Sequence, residues 1–117
     1  MNVLLIINDA NYGTEKAYNA LRVAMNLQKS EEDVDVNIFL LADGVSTSIA
    51  GQETPQGYYN TERMMKSVVL KGGKIKACGS CAAARGLKNV ELIDGLELSN
   101  MTEFTRWIIE ADKVINF

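Results

Sequence analysis

Histidine is absent from all 117 residues. A Ser-His-Asp triad, a Cys-His dyad, an HExxH zinc site and any imidazole acid/base step are therefore excluded within one chain, and proton transfer falls to Asp, Glu, Tyr, Lys, Cys or water. Cysteine is scarce too. The two present, Cys78 and Cys81, are too close in sequence to staple distant parts of a fold, and a reducing compartment favours free or reactive thiols. The longest apolar stretches, Val3–Ile7 and Ile38–Ala42, fall far short of the roughly 20 residues a membrane span needs, so no membrane contact is expected. No basic cluster is denser than Lys71, Lys74 and Lys76, and the net charge of −3 (12 basic against 15 acidic residues) lacks the footprint that holds phosphate backbones. Nucleic acid is not an expected partner. Met1-Asn2 leads into a strand-like run without a basic region or an apolar signal core, from which a cytoplasmic location is expected.

What is present describes an ordinary globular chain: 47% hydrophobic and 23% charged residues, in a length that supports one domain, 1–117, without disulfide or metal staples. Asn2–Asn8 is an apolar run of strand length suited to burial on both faces. Thr14 is placed to cap a helix whose Ala17, Leu21, Ala24 and Leu27 recur at helical spacing. Val34–Asp43 reads as a second strand. The polar stretch from Gly44 to Tyr59, with the only proline, Pro55, reads as a long loop. Asn60 caps a second helix that turns Met64, Met65, Val68 and Val69 inward and stops at Gly72-Gly73. Lys74–Cys78 is a third strand, Gly79–Arg85 a short helix, and Val90–Ile93 a fourth strand. Asn100 with Glu103 resembles a capping box opening a last helix, whose Phe104, Trp107, Ile108 and Ala111 share a face; Lys113–Phe117 closes the series. This alternation predicts an α/β fold, a three-layer α/β/α sandwich around a mostly parallel sheet of about five strands.

In such folds ligands gather where strands end and helices begin. Cys78-Gly79-Ser80-Cys81 lies at one such point. There the helix start favours a thiolate at Cys78, Gly79 allows close backbone approach, and Ser80 can cap the helix while offering its hydroxyl. Arg85 and Lys76 are placed to add positive charge. A metal is not expected, because two soft ligands without histidine need a symmetry mate to close a zinc site. A thioredoxin-like reading of the CxxC lacks a preceding Trp and a following proline. Asp9, Asn11, Tyr12 and Gly13 end the first strand, either lining a crevice or forming only a turn. Tyr58 and Tyr59 precede the second helix, where they can roof that crevice or bury at a subunit contact. No Gly-rich phosphate loop follows any strand, and no cofactor is indicated.

The combination Asn8-Asp9…Tyr12-Gly13-Thr14-Glu15, Gln56-Gly57-Tyr58-Tyr59-Asn60 and Ala77-Cys78-Gly79-Ser80-Cys81…Ala84-Arg85-Gly86 resembles the DsrE/DsrF-like family, in particular its small YchN-type members. The resemblance runs essentially end to end and implies a parallel α/β sandwich, a homo-oligomer (trimer or hexamer), and sulfur handling. In the sulfur-relay members, including the TusD-type proteins, a cysteine matching Cys78 accepts sulfane sulfur as a persulfide and passes it on. Cys81 matches the second cysteine of the YchN-type members. The expectation is thus a small sulfur carrier of sulfurtransferase type, with donor and acceptor proteins as partners. A dithiol redox protein using a Cys78–Cys81 disulfide, and a non-catalytic oligomeric binding module, are the alternatives.

Overall fold

A computed structural model describes residues 1–57 and 59–117 of the chain. Five strands, β1 (Asn2–Ile7), β2 (Asp35–Leu40), β3 (Lys74–Cys78), β4 (Glu97–Ser99) and β5 (Lys113–Asn116), alternate with four helices. These are α1 (Lys16–Lys29), α2 (Thr61–Leu70), α3 (Gly79–Ala84) and α4 (Met101–Glu110). The strands form one sheet in the order β4-β3-β2-β1-β5, parallel at every pairing. It is the three-layer sandwich expected from the alternation of elements.

Strand order fixes the layers. The chain winds from β1 through β2 and β3 to β4 in one direction, so right-handed crossovers put α1, α2 and α3 on one face. It then reverses to reach β5, which puts α4 on the other. Packing agrees: Phe39 of β2 meets Phe104 (ring centroids 4.5 Å apart) and Trp107 (5.8 Å) of α4. Ala17, Ala20, Leu21 and Ala24 of α1 and Met65 and Val68 of α2 are buried in the same core. β1 and β2 are buried on both faces at their centres, which is why they read as unbroken apolar runs rather than alternating ones.

The reversal falls between β3 and β4. β3 and β4 are neighbours, with Cys78 opposite Ser99, yet the chain leaves β3 toward one face and β4 toward the other. This is the kind of switch point at which open α/β sheets place ligands. A Cβ on Gly79 would stand 3.0 Å from the Ser99 carbonyl oxygen, so a bare α-carbon lets the two strand ends approach.

Three expectations are corrected. Glu15, not Thr14, holds the N-cap position of α1, with φ 66° and no side-chain capping bond; the Thr14 hydroxyl still accepts the N–H of Lys16, the first helical residue (3.4 Å), and donates to Asp9 Oδ2 (2.9 Å). Val90–Ile93 is not a sheet strand. It lies against the preceding loop through an isolated antiparallel bridge between Ile49 and Leu92, its polar groups taken by Ala50 and Ser48, and the fourth strand begins only after the Gly95 turn (φ +90°). The Gly44–Tyr59 stretch is also ordered over much of its length: Ala42–Ser48 forms a 3-10 helix and Pro55–Gly57 a second short one. The first of these is cinched by the Thr47 and Ser48 hydroxyls, which bond the Gly44 and Val45 carbonyls (2.6 Å each).

Candidate functional site

Cys78 is the last residue of β3 and the N-cap of α3. Its Sγ accepts the backbone N–H of Cys81 at 3.3 Å and lies 3.2 Å from the Ser80 hydroxyl. Sulfur here takes the place that a Ser or Asp oxygen takes at most helix starts, satisfying an N–H that the first turn leaves open. Burial pushes the Cys78 thiol up. The Cys81 thiol, the Ser80 hydroxyl and the backbone N–H groups of Cys81 and Ser80 act against burial, and the net displacement is below the ordinary thiol value. Cys81 moves the other way: burial and the adjacent Cys78 raise it, against lowering by the Ala42 N–H and the Arg85 charge. The donors at the start of α3 thus favour the thiolate of Cys78, the form in which a cysteine acts as a nucleophile. Both cysteines are free.

Access is restricted. Cys78 is only 2% exposed, while Cys81 is half-buried and its Sγ accepts the Ala42 N–H at 3.3 Å. Ala42 holds φ 50°, a strained value for a residue with a Cβ. Arg85 reaches back over the turn, its Nε donating to Asp43 Oδ1 (2.8 Å) and its Nη1 to the Cys81 carbonyl (3.1 Å). The start of the 3-10 segment and the end of α3 are in this way tied together around Cys81. Arg85 therefore acts on Cys81 and on the loop rather than on Cys78. Lys76 does not serve the thiols either; its Nζ is held by Glu103 (2.7 Å) and Glu97 (3.0 Å), and Glu103 is further bonded by the Ser99 hydroxyl.

The N-terminal turn gathers elsewhere. Asp9 accepts from Thr14 and sits 3.9 Å from the Lys16 ammonium, which makes it a turn residue. Asn11 Oδ1 accepts the Ser46 hydroxyl (3.1 Å). The Tyr12 hydroxyl donates to Gln52 Oε1 (2.7 Å) and accepts the Thr61 N–H (3.3 Å). Tyr12, Tyr18 and Tyr59 share a cavity with Asn11, Gly13 and Glu15; Tyr58 lies outside the described residues. The 3-10 segment thus divides two groups, with Ala42 and Asp43 on the thiols and Ser46 on the tyrosine turn.

With this geometry in place the comparisons are decisive as to kinship. The DsrE/DsrF-like family model matches residues 1–117. The chain belongs to the DsrE/DsrF-like family. Protein YchN of Escherichia coli is 34% identical over 115 residues, which cover 98% of this chain and 97% of that protein. An uncharacterised protein of Methanocaldococcus jannaschii is 38% identical over 117 residues, the whole of both chains. The crystal structure of Escherichia coli YchN superimposes with a TM-score of 0.93 at 33% identity, covering 100% of this chain and 99% of that one. A protein of unknown function from Methanobacterium thermoautotrophicum, at 17% identity, shares the fold with a TM-score of 0.80 over 99% of this chain and 98% of its own.

Within this DsrE/DsrF-like chain the sequence reading passed over two residues that shape the site. Ala42 has no reactive group and contributes only a backbone N–H, which no residue-type pattern reveals. Glu62 accepts the N–H groups of both Gly51 and Gln52 (2.8 Å each) and so pins the loop that positions Gln52 under Tyr12. Those bonds hold its carboxyl below the ordinary value, the Gln52 N–H contributing most, against the opposing effect of burial. Its signal was an acidic residue in the first turn of a capped helix, a pattern that ordinarily means only dipole compensation.

Proposed function

We propose that the protein is a cytoplasmic sulfur carrier of sulfurtransferase type, in which Cys78 accepts sulfane sulfur and hands it to a partner thiol. The observation that carries this reading is the seat of Cys78 at the start of α3, where its Sγ accepts the Cys81 N–H and neighbours the Ser80 hydroxyl, donors that favour the thiolate. The family supports it, being the one that contains sulfur-relay proteins.

The Cys78 thiolate attacks the terminal sulfur of a donor persulfide. A new S–S bond forms on Cys78, the donor's S–S bond breaks, and the donor leaves as a thiolate. An acceptor thiolate then attacks the outer sulfur of the Cys78 persulfide, which regenerates the Cys78 thiolate; no net oxidant is consumed in either exchange. The same donors that lower the thiol stabilise the charge that reappears on Cys78. Cys81 either assists by hydrogen bonding or resolves, attacking the inner sulfur to form a Cys78–Cys81 disulfide with release of hydrosulfide. Because Cys78 is buried, donor and acceptor reach it only after the chain around it parts. Assembly of the chain as a trimer or hexamer belongs to this reading as well.

A second reading, a dithiol redox protein, is favoured by two free cysteines on one helical turn, the backbone of one bonded to the sulfur of the other. Incubating the reduced protein with a sulfane-sulfur donor and taking peptide mass spectra of wild type, Cys78→Ser and Cys81→Ser separates the two. The carrier reading expects one added sulfur on the Cys78 peptide, lost in Cys78→Ser and longer-lived in Cys81→Ser if Cys81 resolves. Only an intramolecular disulfide, with no added sulfur in any variant, moves the assignment to redox chemistry; no modification at all leaves a binding module with structural cysteines.

A further inference from the structure

We propose that the cavity of about 220 Å³ lined by Asn11, Tyr12, Gly13, Glu15, Tyr18 and Tyr59 binds an alkylated ammonium group, as a site distinct from the cysteine pair. Three of its six lining residues are tyrosines and one is a carboxylate. A cation is attracted to the faces of aromatic rings by their quadrupole, and rings set at an angle to one another with an acidic residue nearby make a cage for it.

The rings are arranged to present faces. Tyr18 and Tyr59 meet edge to face, centroids 5.0 Å apart and planes at 72°, so two walls stand nearly perpendicular. The hydroxyl of Tyr12 is engaged by Gln52 and the Thr61 N–H, which holds that side chain by its polar end and leaves the ring to line the cavity. Tyr18 already draws one cation of its own chain, the Arg22 guanidinium carbon lying 5.5 Å from its centroid. Backbone geometry is spent on this wall: Gly13, Glu15 and Tyr59 have φ of 122°, 66° and 59°, and for the latter two a Cβ makes that conformation unfavourable.

Charge selects the sign of the ligand. Glu15, the N-cap of α1, makes no side-chain capping bond and is the one carboxylate among the lining residues. No Lys or Arg is among the cavity's lining residues; the neighbouring Arg22 lies over Tyr18, and Lys16, next in sequence, lies toward Asp9. Polarity selects the degree of alkylation. The Asn11 amide oxygen is bonded by Ser46 and the Tyr12 hydroxyl by Gln52, so two of the polar groups at the cavity are already engaged. A quaternary or methylated ammonium needs only ring faces and one counter-charge.

The test is an NMR titration of the reduced full chain with choline and with its neutral isostere, in which carbon replaces the ammonium nitrogen. Saturable choline binding is expected, with its methyl resonance displaced upfield by the rings and the isostere weaker by roughly tenfold or more. Glu15→Gln is expected to weaken choline severalfold, Tyr59→Leu to abolish the upfield displacement, and Tyr59→Phe, which keeps the ring, to retain it. A peptide carrying trimethyllysine distinguishes the source of the cation: tighter binding than choline points to a protein partner, equal or weaker binding to a free small cation. Equal affinity for the isostere, binding unchanged in Tyr59→Leu, or no saturable choline binding to the folded chain overturns the proposal.

Discussion

The backbone N–H of Cys81 points at the sulfur of Cys78 from 3.3 Å, so the first turn of α3 is closed by the atom proposed to carry out the chemistry. The thiolate form strengthens that bond and the thiol form weakens it. Helix start and proposed nucleophile are therefore one feature, and loss of the turn would raise the thiol as well as loosen the site.

The first prediction concerns pH. Since burial of Cys78 is outweighed by donors, its alkylation rate plotted against pH should inflect below the value of an unstructured thiol. Ser80→Ala removes one donor and moves the inflection up, slowing alkylation at neutral pH by roughly three- to tenfold. The sign follows because fewer donors to the charged form favour the protonated one. An inflection in wild type at or above that of the denatured chain would refute the assignment of Cys78 as the activated member of the pair.

Much of this site was legible in the sequence because it is local. Cys78 and Ser80 are two residues apart, Cys78 and Cys81 three, and a strand-to-helix turn between them follows from residue types alone. Arg85 was found, but its direction was not, since its partner Asp43 lies 42 positions away and the pairing exists only because the 3-10 segment folds against α3. The strand after Gly95 was misplaced for a related reason. Val90–Ile93 has the apolar content of a strand, yet its hydrogen bonds go to Ser48 and Ala50, whereas the short Glu97–Ser99 segment has the register with Lys76–Cys78. Local composition cannot rank two such neighbours; pairing can. The Gly44–Tyr59 stretch looked structureless because its order comes from hydroxyl-to-carbonyl bonds within a 3-10 helix rather than from an apolar period.

Asn60 joins a cap to a loop. Its side-chain oxygen accepts the Arg63 N–H (3.1 Å) and its amide donates to the Gln52 carbonyl (3.1 Å), and the residue is buried. Asn60→Ala is expected to lose about 1–2 kcal/mol in urea unfolding, the upper part of the range found for capping residues. Asn60→Asp, which keeps the acceptor and removes the amide donor, should recover part of the loss. If Ala and Asp destabilise equally, the bond to Gln52 dominates and the capping argument fails.

Gly44 stands where nothing larger fits. A Cβ there would lie 2.1 Å from the Ile7 carbonyl oxygen, and the Gly44 N–H already bonds the Leu41 (2.7 Å) and Asn8 (3.1 Å) carbonyls, which locks the 3-10 segment onto the end of β1. Gly44→Ala must push backbone apart, at a cost of about 3 kcal/mol or more given what overpacked cores lose. Chemical denaturation should show the midpoint lowered accordingly. A change within about 0.5 kcal/mol, the range of ordinary surface substitutions, would mean that the segment is free to move away from β1.

The Asp43–Arg85 pair bears directly on access to the thiols. It is exposed, with Asp43 71% and Arg85 35% accessible, so its strength is that of a surface ion pair and screening by salt weakens it. Its position matters more than its strength: it ties the 3-10 segment to the end of α3, and Ala42, the residue beside Asp43, donates to Cys81 Sγ. Asp43→Asn should quicken alkylation of Cys81 by roughly two- to fivefold, the range one such pair can supply. Molar salt should do the same to wild type while leaving the variant nearly unchanged, because asparagine keeps the acceptor oxygen but not the charge that salt screens. Equal rates in wild type and Asp43→Asn at low salt would show that the segment opens without reference to this pair, and that access to the cysteines is set by the Ala42 N–H and the packing around it.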